Sequence, residues 1–131
     1  MHETEKNKMK LAIIITSDPK NGEEALGRAY NALALAAESQ AKGDEVNVVF
    51  VGTGTRWPAE LSKLNHPANQ LYHTVRPSVA GASRSCAAVF GAANDVAACG
   101  LPEIKDNALP GTPGLASIRR YAAEGWQTLV F

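Results

Sequence analysis

The sequence predicts an α/β fold: a three-layer α/β/α sandwich around a mostly parallel sheet of about five strands. Three observations predict it. Leu11-Ala12-Ile13-Ile14-Ile15 is an unbroken apolar run rich in β-branched residues, as a strand buried on both faces requires. Runs of this kind alternate along the chain with helix-like segments, one opened by Asn21 and closed by Gly43 and two opened by Pro58 and Pro77. The chain then finishes on a further strand-like run, Thr128-Leu129-Val130-Phe131, after one more such segment.

Each element has a local reason. After the first strand, Asp18-Pro19-Lys20-Asn21-Gly22 turns the chain. Asn21 is placed to cap a helix, with Glu24 three residues on and Glu23 and Glu24 both favourable near the positive helix start. That helix runs to about Lys42, and Gly43 is its left-handed stop. From Ala25 to Ala37 it is apolar around most of its circumference, so a second helix or a second subunit must cover what the sheet does not. Glu45 to Val51 reads as the second strand, and a helix started by Pro58 runs to about Leu64. A short strand is expected around Leu71-Tyr72. From Pro77 to about Asn94, Val79, Ala82, Cys86, Phe90 and Ala93 recur at steps of three and four, which predicts an amphipathic helix. Val96 to Cys99 reads as the third clear strand. A loop from Gly100 to Gly114 leads to a last helix with Leu115, Ile118 and Ala122 inward and Gly125 as its stop, and then to the final strand. The first eight residues form a polar tail, and residues 9–131 form one domain.

Composition narrows the function. Thirteen acidic residues balance thirteen basic ones, and no basic stripe follows the first ten residues, so neither nucleic acid nor an anionic membrane surface is an expected partner. No stretch reaches the roughly 20 apolar residues of a membrane span, and the polar start has no signal-peptide character. A cytoplasmic location follows as the expectation. There the two cysteines are reduced thiols, and without a CxxC pair neither a disulfide nor a zinc site is expected.

Right-handed crossovers gather the loops after the strands on one rim, where open α/β sheets bind ligands. Cys99, at the end of the predicted third strand, is the candidate nucleophile of that rim; the plain alternative is a small apolar thiol buried at a strand end. Ser17, Asp18, Gly52, Thr53, Arg56 and Gly100 complete the candidate rim. For each, turn formation, capping or packing is a sufficient structural explanation. Gly52-Thr53-Gly54-Thr55 lacks the third glycine of a dinucleotide fingerprint and the lysine of a phosphate-binding loop. Cys86 falls in an apolar stripe and reads as a core or interface thiol. His66 and His73 have no evident third ligand, so no metal is expected. No Gly-x-Ser-x-Gly elbow supports a hydrolase.

The Asp18-Pro19 turn, the Ala/Leu-rich helix Ala25 to Ala37, the Gly43-Asp44-Glu45-Val46 re-entry, the strand ending at Val51, Cys99-Gly100 and the terminal Thr128-Leu129-Val130-Phe131 together resemble the DsrE/DsrF-like family from about Met9 onward. The resemblance implies an α/β/α domain that assembles into homo-oligomers, trimers or hexamers. It also implies a sulfur relay in which a cysteine at a strand end, here Cys99, carries a persulfide between donor and acceptor proteins. Such chemistry needs no cofactor: a thiolate takes a sulfur atom from one persulfide and gives it to the next thiol. The rival expectation is a non-catalytic oligomeric binding module in which Cys99 is incidental.

Overall fold

Five parallel strands form one sheet in the order β4-β3-β2-β1-β5. They are β1 (Lys10–Ile15), β2 (Glu45–Phe50), β3 (Val79–Ser83), β4 (Glu103–Ile104) and β5 (Gln127–Val130). Six helices connect them: α1 (Gly22–Ala41), α2 (Trp57–Leu61), α3 (Asn69–Val75), α4 (Arg84–Val89), α5 (Ala93–Ala98) and α6 (Ile118–Ala123). The computed structural model describes residues 8–131, so the expected tail lies, apart from its last residue, outside the described residues. Among the described residues no helix is long and apolar enough to cross a membrane.

The order of strands explains the layers. From β1 to β4 the chain steps in one direction along the sheet, and right-handed crossovers keep α1 to α5 on one face. The step to β5 goes back across the sheet to the far side of β1, so the same handedness puts α6 on the opposite face. Alternate residues of β1 serve the two sides. Leu11, Ile13 and Ile15 join Ala29, Leu33, Phe50, Trp57 and Val96 in the larger core. Ala12 and Ile14 meet Val49 and Tyr121 in the smaller one.

The sheet-facing side of α1 is Ala25, Ala29, Ala32, Leu33 and Ala36, all buried. One flank is covered by α3, and Gln40 Nε2 ties α1 to the turn after α3 by donating to Ser78 Oγ at 2.6 Å. A neighbouring helix therefore accounts for part of the apolar circumference. Tyr30 stays 44 % exposed. Gly43, at φ 82°, ends the helix as expected. Asn21 makes no side-chain cap; Asp18 caps the short turn before the helix by accepting from Lys20 N at 2.9 Å, and Glu24 pairs with Arg28.

The middle of the chain departs from the sequence expectation. Residues 77–94 do not form one helix: a turn at Arg76–Ser78 leads into β3, which is followed by α4. The predicted strand Val96 to Cys99 is helix, lying in α5 and its C-cap. The Leu71-Tyr72 segment is helical in α3, the helix started at Pro58 ends at Leu61, and the expected loop after Gly100 contains β4. In α6 the inward residue is Tyr121, while Ile118 and Ala122 face outward. The physical reason for the first exchange is at Gly81. Its φ is 148°, and a Cβ there would collide with the Pro102 carbonyl, which accepts from Ala82 N at 3.0 Å. A strand of small residues lets β4 approach this closely, and Gly is the poorest of the non-proline residues in a helix interior.

Candidate functional site

The carboxyl ends of β1, β2 and β3 deliver three segments to one rim: Thr16 to Asp18, Val51 to Arg56, and Ser83 to Cys86. Side chains knit the first two together. Thr53 Oγ1 donates to Thr16 O at 3.1 Å, and Trp57 Nε1 donates to Ser17 O at 2.7 Å. Arg56 Nη1 pairs with Asp18 Oδ2 at 2.7 Å, both side chains being mostly buried. The turn itself is closed by Thr55 Oγ1 donating to Gly52 O at 2.8 Å. Gly54 must be glycine here, since a Cβ would collide with the Ile15 carbonyl.

The third segment joins through Arg56. Its Nε donates to Phe90 O at 3.2 Å, its guanidinium lies 5.8 Å from the Phe90 ring centroid, and α4 packs on the Gly52–Arg56 turn. On the other side, Ser85 N donates to Gly114 O at 2.9 Å and Ala116 N to Ser83 Oγ at 3.0 Å, holding the loop before α6 against the end of β3. The Asp18–Arg56 pair separates two surface depressions. One, of about 300 Å³, is lined by Ser17, Asp18, Asn21, Glu24, Ala25 and Arg28; the other, of about 170 Å³, lies by Lys20, Arg56, Phe90 and Asp95.

Ser17, Asp18, Gly52, Thr53 and Arg56 are thus brought together as the sequence predicted. Cys99 and Gly100 are not on this rim. Arg76, which precedes β3, donates from Nη2 to Gly100 O at 3.2 Å and fixes the Cys99-Gly100 turn near the amino end of that strand. The thiol that follows a strand's carboxyl end is Cys86, three residues after β3, half-buried and free. Sequence reasoning missed it because the recurrence of Val79, Ala82, Cys86, Phe90 and Ala93 imitates a helix. Two signals pointed the other way: Gly81 in the middle of the supposed helix, and Gly91, whose φ of 72° ends α4's turn.

The Thr53, Thr55 and Ser17 hydroxyls of this rim are engaged in structural hydrogen bonds: Thr53 with Thr16 O, Thr55 with Gly52 O, and Ser17 between Trp57 Nε1 and Ala25 O. His66 is occupied in the same way, its Nδ1 accepting from Ala68 N at 3.0 Å and its ring standing edge-on to Trp57. Compared with known proteins, the chain matches no protein-family model and no curated protein sequence.

Proposed function

We propose that this protein is a cofactor-independent sulfur carrier and that Cys86 is its acceptor thiol. The observation that carries the reading is the position of Cys86, a free and half-buried thiol just beyond the carboxyl end of β3, on the rim where parallel α/β sheets place their chemistry. The argument that singled out Cys99 in the sequence was a strand-end position, and that position is occupied by Cys86. The resemblance to the DsrE/DsrF-like family implied a sulfur carrier with Cys99 as the acceptor at a strand end; that segment is helical here, so the resemblance gives Cys86 no role and the assignment of Cys86 rests on its position alone.

The reaction is a thiol exchange. The Cys86 thiolate attacks the outer sulfur of a donor persulfide, a new S–S bond forms, and the donor leaves as a thiolate. An acceptor thiolate then attacks the outer sulfur on Cys86 and releases it in its original state, with no net oxidation. Donor and acceptor are therefore persulfide-forming proteins or small thiols, and a reducing cytoplasm suits both steps. A homo-oligomer belongs to the same proposal. It is favoured by the open outer edge of β5 and by Val130, which is 64 % exposed on that edge strand.

Intact-mass analysis after incubation with a persulfide donor tests the reading. One added sulfur atom is expected on the parent protein and on Cys99→Ser, and none on Cys86→Ser. Sulfur on Cys99 alone would return the role to that residue. Sulfur on neither would leave the non-catalytic binding module as the better account. Light scattering behind size exclusion reads the assembly, and a stable monomer at micromolar concentration would remove the oligomer from the proposal.

A further inference from the structure

The connection between α2 and α3 is closed by an imidazole that the carrier reading does not use. Lys63 O accepts from His66 N at 3.0 Å and His66 O accepts from Asn69 N at 3.0 Å, so residues 62–68 run as a succession of tight turns. Pro67 has no N–H to give. The next backbone donor is Ala68 N, which donates to His66 Nδ1 at 3.0 Å. Ala68 is 1 % exposed and opens α3, its carbonyl accepting from Tyr72 N at 2.8 Å. Among the described residues the imidazole is the partner of the Ala68 N–H.

A ring nitrogen that accepts a hydrogen bond carries no proton, so this contact exists only with the neutral ring, protonated on Nε2. A second proton makes Nδ1 a donor facing a donor, and the bond to Ala68 is lost whichever way the ring lies. The surroundings offer the charged ring another place. His66 is half-buried at a depression of about 300 Å³ that Glu23 of α1, Glu60 of α2, Leu26 and Trp57 also line, and its ring stands edge-on to Trp57 with centroids 6.2 Å apart. The two carboxylates are acceptors suited to an imidazolium. Against it stand Lys63, paired with Glu60 at 2.8 Å, and the positive start of α1 beside Glu23.

We propose that His66 is a pH-operated latch on the connection between α2 and α3. Neutral, the ring holds the Ala68 N–H; protonated, it lets go of Ala68 and turns to Glu23 and Glu60. The exchange takes up one proton from solvent at Nδ1 and replaces one hydrogen bond by another. Letting go frees the first turn of α3, the helix that covers one flank of α1, and changes the wall of the depression beside Trp57. The indole of Trp57 donates to Ser17 O, so the movement borders the rim. It makes no use of Cys86, and it stands or falls apart from the carrier reading.

Amide hydrogen exchange read by NMR on the full chain tests this, with protection factors correcting for the intrinsic pH dependence of exchange and Ile13 of β1 reporting global opening. Between roughly pH 7.5 and pH 5, a span in which ordinary imidazoles take up their proton, protection at Ala68 should fall while that at Ile13 holds. The expected fall is about tenfold, the factor that one hydrogen bond of ~1.4 kcal/mol supplies. His66→Asn offers a carboxamide oxygen that accepts from the N–H two residues on and does not titrate, so its Ala68 should stay protected at both pH values. His66→Ala should be unprotected at both. In the double variant Glu23→Gln/Glu60→Gln the fall should move to lower pH. Constant protection at Ala68 in the parent, a fall in His66→Asn equal to the parent's, or an equal fall at Ile13 would overturn the latch; an unmoved midpoint in the double variant would overturn the carboxylates as the ring's second position.

Discussion

Arg56 and Asp18 meet at 2.7 Å across the top of the sheet, and the same guanidinium donates to the Phe90 carbonyl at 3.2 Å. One side chain from the turn after β2 thereby fastens both the turn after β1 and the end of α4. A planar group with five donors can satisfy both partners at once. The pair is neither a solvated surface bridge nor fully buried: the side chains are 25 % and 15 % exposed.

That intermediate position sets the expected cost of breaking it. Arg56→Ala leaves the Asp18 carboxylate and the Phe90 carbonyl without their partner, and a loss of about 2 kcal/mol is expected, between the values for exposed and buried pairs. Arg56→Lys keeps the charge but not the fork, so it should lose about half as much. Urea unfolding of the three proteins measures this. An Arg56→Ala change within about 0.5 kcal/mol of zero would mean that the contact does not hold the rim together.

Gly81→Ala is expected to be among the most damaging single-methyl changes in the sheet. The new Cβ would meet the Pro102 carbonyl, and the φ of 148° is unfavourable for any L side chain. A loss of about 3 kcal/mol follows, with β4 displaced from β3. Thermal unfolding together with hydrogen exchange at Glu103 and Ile104 would show it. Gly27→Ala is the control: nothing lies near its Cβ position, and alanine is the better helix former.

Tyr72→Phe should hold or raise stability near neutral pH, because it removes a buried hydroxyl that has no partner. Its effect should grow in alkali. With the folded pKa raised from 10.0 to about 12, the native phenol keeps its proton where the unfolded chain has lost it. The stability tied to the neutral phenol is whole below the unfolded value and falls as pH rises through the folded one, by about 1.4 kcal/mol per unit within that window. Denaturant midpoints of parent and variant, compared at roughly pH 8 and pH 11, should diverge in favour of the variant. A constant difference would mean that Tyr72 titrates alike in both states.

What the sequence determined by itself is the part of the fold that long or strongly marked segments encode. Leu11 to Ile15 is too apolar and too branched to be anything but a central strand, and the stretch closed by Gly43 is long enough, with acidic residues at its start and glycine at its stop, to be read as a helix. The turn residues Ser17, Asp18, Gly52, Thr53 and Arg56 were legible for the same reason: they follow such strands, and right-handed crossovers bring them to one edge. Only the tertiary structure decided the chain from Pro77 to Cys99. Val79 to Ser83 and Val96 to Cys99 are both runs of four or five small apolar residues, short enough to be strand or helix. The open edge of β2 chose between them, since β3 had to admit the Pro102 carbonyl at close range and Gly81 allows that approach. Hydrogen bonds to a strand thirty residues away are invisible in local spacing. Cys86 reached the rim by that choice, and Cys99 came to lie at the end of α5 beside Ser62 instead.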